Sequence, residues 1–184
     1  HRDLHSFPTR RSSDLLRDAT VLLLDELPQV RAIVEIDGRE IALYSVHLLM
    51  PLRETPHLAL PLLPDLLLRY DESARNRQIR QLIALLEEEA LPFIAAGDFN
   101  MADTSPIYDE LAARWVDAYA TVQAGLGPTW PGGASEELPD VLPPLVRLDY
   151  VWLGDVLEPL QAEVGPHLGS DHLPVLITFR FRPD

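Results

Sequence analysis

Apolar and polar positions alternate over residues 29–36, where Val30, Ala32, Val34 and Ile36 fall on every second place. That is the period of a half-buried strand. Residues 40–47 alternate again through Ile41, Leu43 and Ser45, with Asp37-Gly38 between the two runs as a two-residue turn signal. Together they predict an antiparallel hairpin ending at His47, preceded by a short apolar run at residues 21–24. Over residues 73–90 the period lengthens. Ile79, Leu82, Ile83 and Leu86 share one helical face, and Arg75, Arg77, Arg80, Glu87 and Glu88 are distributed over the others. The arginines at 75–80 read as a solvated helix face rather than a phosphate clamp. Residues 92–96 form a short buried strand, and Gly97-Asp98-Phe99-Asn100 is the loop that leaves it. Thr104 or Ser105 caps a second helix with Pro106 in its first turn and Ile107 and Leu111 facing inward. Residues 125–144 are rich in Gly and Pro and read as a surface loop, and residues 146–153, 156–164 and 174–181 as three more strands. The class is therefore mixed α and β.

Composition narrows the chemistry. A chain of 184 residues suits one domain, and 47% hydrophobic with 24% charged residues is a globular balance. Cysteine is absent, which removes disulfide scaffolds, thiolate metal sites and cysteine nucleophiles together. The formal charge is −14, and all 15 basic residues are Arg. Such a field repels polyanions and disfavours a protein that coats nucleic acid, yet it does not exclude an enzyme that recruits divalent cations. The most apolar stretch, residues 47–70, is interrupted by Arg53, Glu54, Asp65 and four prolines, so it holds no run of about 20 apolar residues to span a bilayer. The connection at residues 48–68 is a candidate lid or membrane-touching loop, with core or dimer packing as the alternative. Residues 1–15 are basic and Ser/Arg-rich, and FPTRRSSDL within them resembles a translated sequencing adapter. The expectation is that residues 1–15 are non-native and residues 16–184 are the genuine domain.

Candidate chemistry gathers in five short segments at strand ends and loops, four of them carrying acids or imidazoles. They are Ser45-Val46-His47, Gly97-Asp98-Phe99-Asn100, Gly127-Pro128-Thr129-Trp130-Pro131, Arg147-Leu148-Asp149-Tyr150 and Gly169-Ser170-Asp171-His172 with Pro174. Singly each is weak, because a strand-end Asp is usually a turn or cap residue. In this order, GDFN, RLDY and SDHLP downstream of His47 resemble the endonuclease/exonuclease/phosphatase superfamily, whose members are metal-dependent phosphoesterases. The resemblance covers about residues 20–182. It implies a four-layered αββα sandwich of two mixed sheets in the α+β class, with the site on loops at one edge.

The resemblance also implies roles. Asp98 orients or deprotonates the attacking water, Asn100 hydrogen-bonds a phosphate oxygen, and Asp171 is a metal-side carboxylate. His172 acts as acid or base, Asp149 fixes its tautomer, and His47 serves as acid toward the leaving oxygen. Asp98, Asn100 and Asp171 would hold Mg²⁺ or Mn²⁺, since hard cations take oxygen ligands. Thr129 and Trp130 are weaker candidates to line the substrate, with packing as the alternative for Trp130. His57 and His167 lie off the motifs and are read as structural or exposed.

The family pattern also needs an Asn strand and a metal-binding Glu ahead of His47. Glu26 and Glu35 precede it here, with Glu40 inside the 40–47 strand, and neither Glu26 nor Glu35 has the expected context. The expectation is that the chain is the C-terminal two-thirds of the domain, lacks the first strands, and turns over slowly or not at all. The acidic charge disfavours duplex DNA, and the resemblance of the GPTWP segment, the LPP turn and the RLDYVW–GSDHLP ending to bacterial branches of the family favours a small or lipid-linked phosphoester. A metal-dependent nuclease and an inactive half-domain acting as a binding or regulatory module stay as alternatives. Some bacterial branches carry transmembrane helices ahead of the catalytic domain, so a membrane tether upstream is a further expectation.

Overall fold

The computed structural model describes residues 16–51, 70–133 and 142–183. The adapter-like segment, His57 and most of the apolar 48–68 connection fall outside these residues. Strands β1 (Leu16–Leu24), β2 (Leu27–Ile36) and β3 (Arg39–His47) form consecutive antiparallel hairpins. Asp37 and Gly38 turn between β2 and β3 with φ of 52° and 77°, the left-handed pair that a type I′ turn requires. Helix α1 (Ser73–Glu87) then crosses to β4 (Phe93–Asp98), which pairs parallel to β3. Next come α2 (Pro106–Ala112), β5 (Val116–Asp117), α3 (Ala118–Val122), β6 (Asp149–Leu153), β7 (Leu157–Val164) and β8 (Val175–Phe181). The first sheet is mixed and six-stranded in the order β1-β2-β3-β4-β6-β5, and β7 and β8 form an antiparallel pair.

Alternation along the central strands sorts side chains onto two faces. Ala42, Tyr44 and Val46 of β3, Phe93 and Ala95 of β4, and Tyr150 and Trp152 of β6 pack against Ile79, Leu82, Ile83 and Leu86 of α1 and against Ile107 and Leu111 of α2. The intervening Ile41, Ile94, Val151 and Leu153 meet Leu157, Ile177, Phe179 and Phe181 of the second sheet. Helices thus lie outside one sheet and the second sheet lies face to face with it, the sandwich arrangement expected. The outward residues of β8, Leu176, Thr178 and Arg180, are exposed. Among the described residues no helix is long and apolar enough to cross a membrane.

Three local features differ from the sequence expectations. Helix α1 stops at Glu87, and Glu89 turns back to accept hydrogen bonds from Arg31 Nε (2.8 Å) and Tyr44 Oη (2.7 Å). Glu87 and Glu88 still crowd the negative end of the helix dipole at a cost of a few tenths of a kcal/mol. Burial of four apolar side chains, each worth about 1.5–3 kcal/mol, outweighs it. Arg75 is not on a solvated face: it is 1% exposed, on the same stripe as Ile79. Residues 125–144 are not simply surface, since Gly127, Thr129, Pro131 and Gly132 are buried and Trp130 bridges to Val146. Strand β5 and helix α3, two and five residues long, are too short to leave a periodic signature.

Candidate active site

Sheet register builds the site. His47 is the partner of Asp98 in the parallel β3–β4 ladder, and Asp98 is the partner of Asp149 in the antiparallel β4–β6 ladder. The three side chains therefore occupy one row across three neighbouring strands. Counting by twos from Ile41, Ile94 and Leu153 puts the row on the face toward the second sheet. The approach of these strands depends on Gly97, whose φ is +141° and whose absent Cβ would stand 1.9 Å from Val46 O. No other residue fits there.

His172 reaches the row from the turn before β8. Its Nδ1 is 2.7 Å from Asp149 Oδ2 and its Nε2 is 4.0 Å from Asp98 Oδ2. His47 Nε2 approaches the same Asp98 oxygen at 3.8 Å, with the His47 side chain largely exposed. The hydrogen bond to Asp149 raises the His172 pKa, more than partial burial lowers it, and the nearby Asp98 and Asp171 charges add to the rise. Burial raises the Asp98 pKa, and the charge of Asp149 adds to it. The Asn100 amide and the two histidines act the other way. Carboxyl and imidazole pairs tuned by their neighbours in this manner are the raw material of acid–base chemistry.

Asn100 follows Asp98 by two residues in a left-handed conformation, φ 47°. Its backbone N–H donates to Asp98 Oδ1 (2.8 Å), and its Nδ2 donates to Asp98 Oδ2 (3.0 Å) and to Leu48 O (2.9 Å). One side chain thereby joins the ends of β3 and β4. Gln29 fixes the other side of that junction, accepting from His47 N (2.6 Å) and donating to His47 O (3.0 Å). Thr129 is fully buried, so it does not line the site. Its Oγ1 accepts from the N–H groups of Leu148 (3.1 Å) and Asp149 (3.3 Å), and its carbonyl accepts from Leu173 N (2.8 Å). Thr129 thus registers Asp149 against the turn that carries His172. Trp130 is half-buried beside it.

Asp98, Asp149 and His172 each offer a ligand atom within 4.8 Å of the other two. Two carboxylates and an imidazole are a donor set that fits a divalent cation, because Mg²⁺ commonly takes one or two carboxylates and completes its shell with water and phosphate oxygens. Asp171 does not join the three. It is exposed, its carboxylate accepts from Ser170 Oγ at 3.4 Å, and its carbonyl accepts from Gly132 N. Glu26 and Glu35 are also away from the row: Glu26 lies in the β1–β2 turn and Glu35 pairs with Arg17 at 3.0 Å. His167 is exposed.

A family model described as the Endonuclease/Exonuclease/phosphatase family matches residues 11–172. The chain belongs to the endonuclease/exonuclease/phosphatase family. No curated protein matches it. Among solved structures it resembles a functionally unknown conserved protein from Enterococcus faecalis at 14% identity and TM-score 0.65, which covers 92% of this chain and 68% of the other. It also resembles a Bacteroides thetaiotaomicron mannosyl-6-phosphatase at 16% identity and TM-score 0.64, with the same coverage. A third resemblance is to D. rerio TDP2 complexed with single strand DNA product, at 17% identity and TM-score 0.63, over 90% of this chain and 68% of that one. At these identities the likeness shows a shared fold. In this family the fold serves phosphoester hydrolysis, so the row at the ends of β3, β4 and β6 is where that chemistry is to be sought.

Proposed function

We propose that the chain carries the hydrolytic site of a divalent-cation-dependent phosphoester hydrolase acting on a small or lipid-linked substrate. The observation that supports this most is the His47–Asp98–Asp149 row with His172 closing on it. Asp98 and Asp149 would hold Mg²⁺ or Mn²⁺ through their carboxylates, and the cation would supply charge neutralisation at the phosphate and a lowered pKa for water. Asp98, fixed at both oxygens by Asn100, orients the attacking water and takes up its proton. With Nδ1 engaged by Asp149, His172 presents Nε2 toward Asp98 and the reacting phosphate. His47, exposed at the rim, donates a proton to the leaving oxygen.

The acidic charge favours a substrate with few phosphates over a polynucleotide. The two neighbours with stated activities, one a sugar-phosphate phosphatase and one bound to single-stranded DNA, span both classes. A second reading, an inactive binding module, draws on the positions of Asp171, Glu26 and Glu35 outside the cluster. The test is an assay of the chain with Mg²⁺ and Mn²⁺ on bis-p-nitrophenyl phosphate, a hexose 6-phosphate, a lysophospholipid and a single-stranded oligonucleotide. Slow cation-dependent turnover of a small or lipid-linked ester, lost in Asp98→Ala and His172→Ala, supports the proposal. Preference for the oligonucleotide favours the nuclease, and a folded chain with no turnover on any substrate favours the module.

A further inference from the structure

Helix α1 carries a buried cation that reaches the loop of the site from behind. Arg75 is 1% exposed, and its Nη1 donates to the backbone carbonyl of Asn100 at 2.6 Å. Its Nη2 donates to Ser105 Oγ (3.1 Å) and Asn76 Oδ1 (2.9 Å) and pairs with Glu72 Oε1 (3.0 Å). Ser105 Oγ donates in turn to Glu72 Oε2 at 3.0 Å. The guanidinium thus grips both ends of the segment between β4 and α2, at Asn100 and at Ser105.

What that grip controls is the conformation of Asn100. Asn100 sits at φ 47°, a left-handed conformation that Asn adopts more readily than other non-glycine residues, and local hydrogen bonds hold it there. In that conformation its N–H and its Nδ2 both reach Asp98, and Nδ2 also reaches Leu48 O. Asn100 O is the acceptor that Arg75 takes. We propose that Arg75 is a positioning residue for hydrolysis: by holding the Asn100 carbonyl it fixes the left-handed turn and, through the two Asn100 hydrogen bonds, the carboxylate of Asp98. This rests on the hydrolytic reading of the site. A planar fork meets carbonyl, hydroxyl and carboxylate at once, and a lysine ammonium, a point charge on a flexible stem, does not.

The experiment compares wild-type chain with Arg75→Lys by cation-dependent turnover of bis-p-nitrophenyl phosphate and by the ¹⁵N-¹H resonances of the Asn100 backbone and side-chain amides. Ile83→Val, in the core of the same helix, controls for lost stability. In Arg75→Lys, kcat should fall about 100-fold with KM within about threefold, the penalty expected of a displaced reacting group. The Asn100 resonances should move, and Ile83→Val should change neither. Unmoved Asn100 resonances overturn the proposal whatever turnover does, and so does unchanged turnover with moved resonances. Should Arg75→Lys fail to fold, Glu72→Gln loosens the same guanidinium and should shift Asn100 and lower kcat in the same sense; no change in either overturns the proposal. A wild-type chain with no turnover sinks the hydrolytic reading instead, and the Asn100 resonances then decide the positioning claim alone.

Discussion

His172 Nδ1 lies 2.7 Å from Asp149 Oδ2, a contact between residues 23 apart in sequence that joins the end of the first sheet to the β7–β8 connection of the second. The bond favours the imidazolium, so the folded His172 pKa stands above 6.5. Its contribution to stability is complete below 6.5 and is lost as pH rises through the folded value. Asp149→Asn should remove the upward shift. An NMR titration of the His172 ring protons should follow that change, and an unaltered midpoint would show that Asp149 is not the cause.

Asp98 carries the opposite consequence. Burial and the Asp149 charge raise its pKa above 3.8, so its ionisation opposes folding, with no penalty below 3.8 and the full penalty above the folded value. Asp98→Asn removes that penalty, so the loss of stability as pH rises through the folded Asp98 value should be absent from the variant. The substitution should also abolish stabilisation by Mn²⁺, which for one site in the wild-type chain should reach about 2.7 kcal/mol at a concentration one hundred times Kd. Thermal melts across pH, with and without the cation, measure both effects. Equal cation shifts in the two proteins would place the metal elsewhere.

Gly97 and Gly38 offer a paired test of the backbone. An added Cβ at Gly97 would collide with Val46 O at 1.9 Å, whereas at Gly38 it meets nothing within 4 Å. Gly97→Ala should cost more than 3 kcal/mol, because either the β3–β4 ladder or the site row must give way. Gly38→Ala should cost about 1 kcal/mol for its left-handed φ. Urea denaturation of both variants compares the two costs directly.

Acid stability should centre on Glu89. Burial works against its charge, but hydrogen bonds from Arg31, Tyr44 and the Leu91 amide outweigh this and bring its pKa down to about 2. The folded value is depressed, so the stabilisation is present above 4.5 and is lost as pH falls toward 2. Glu89→Gln should remove roughly 3 kcal/mol at neutral pH and flatten the stability profile between pH 4.5 and 2. Urea midpoints measured across that range provide the check.

Much of this architecture was legible in the sequence because period carries it. The 29–36 and 40–47 alternation with Asp37-Gly38 predicts the β2–β3 hairpin, and the Ile79–Leu86 stripe predicts α1. The Asp149–His172 pair followed from the family resemblance. What period does not show is the polar support beneath the site. Arg75 extends the apolar stripe four residues before Ile79, yet an arginine there reads as solvent-facing until its partners at Asn100, Ser105 and Glu72 are in view. Thr129 was a weaker candidate to line the substrate. Its hydroxyl instead satisfies two backbone donors, an assignment that depends on long-range contacts. Asp171 adjoins His172 in sequence, but it is exposed and stands outside the Asp98–Asp149–His172 cluster.

The most direct test of the proposed site is the rate of bis-p-nitrophenyl phosphate hydrolysis by the chain as Mn²⁺ is raised, in wild type, Asp98→Asn and His172→Ala. The account predicts slow, saturable, cation-dependent turnover that falls by at least about 100-fold in each variant while both remain folded. Turnover in the variants equal to wild type, or a wild-type rate no higher than buffer with Mn²⁺, would contradict it.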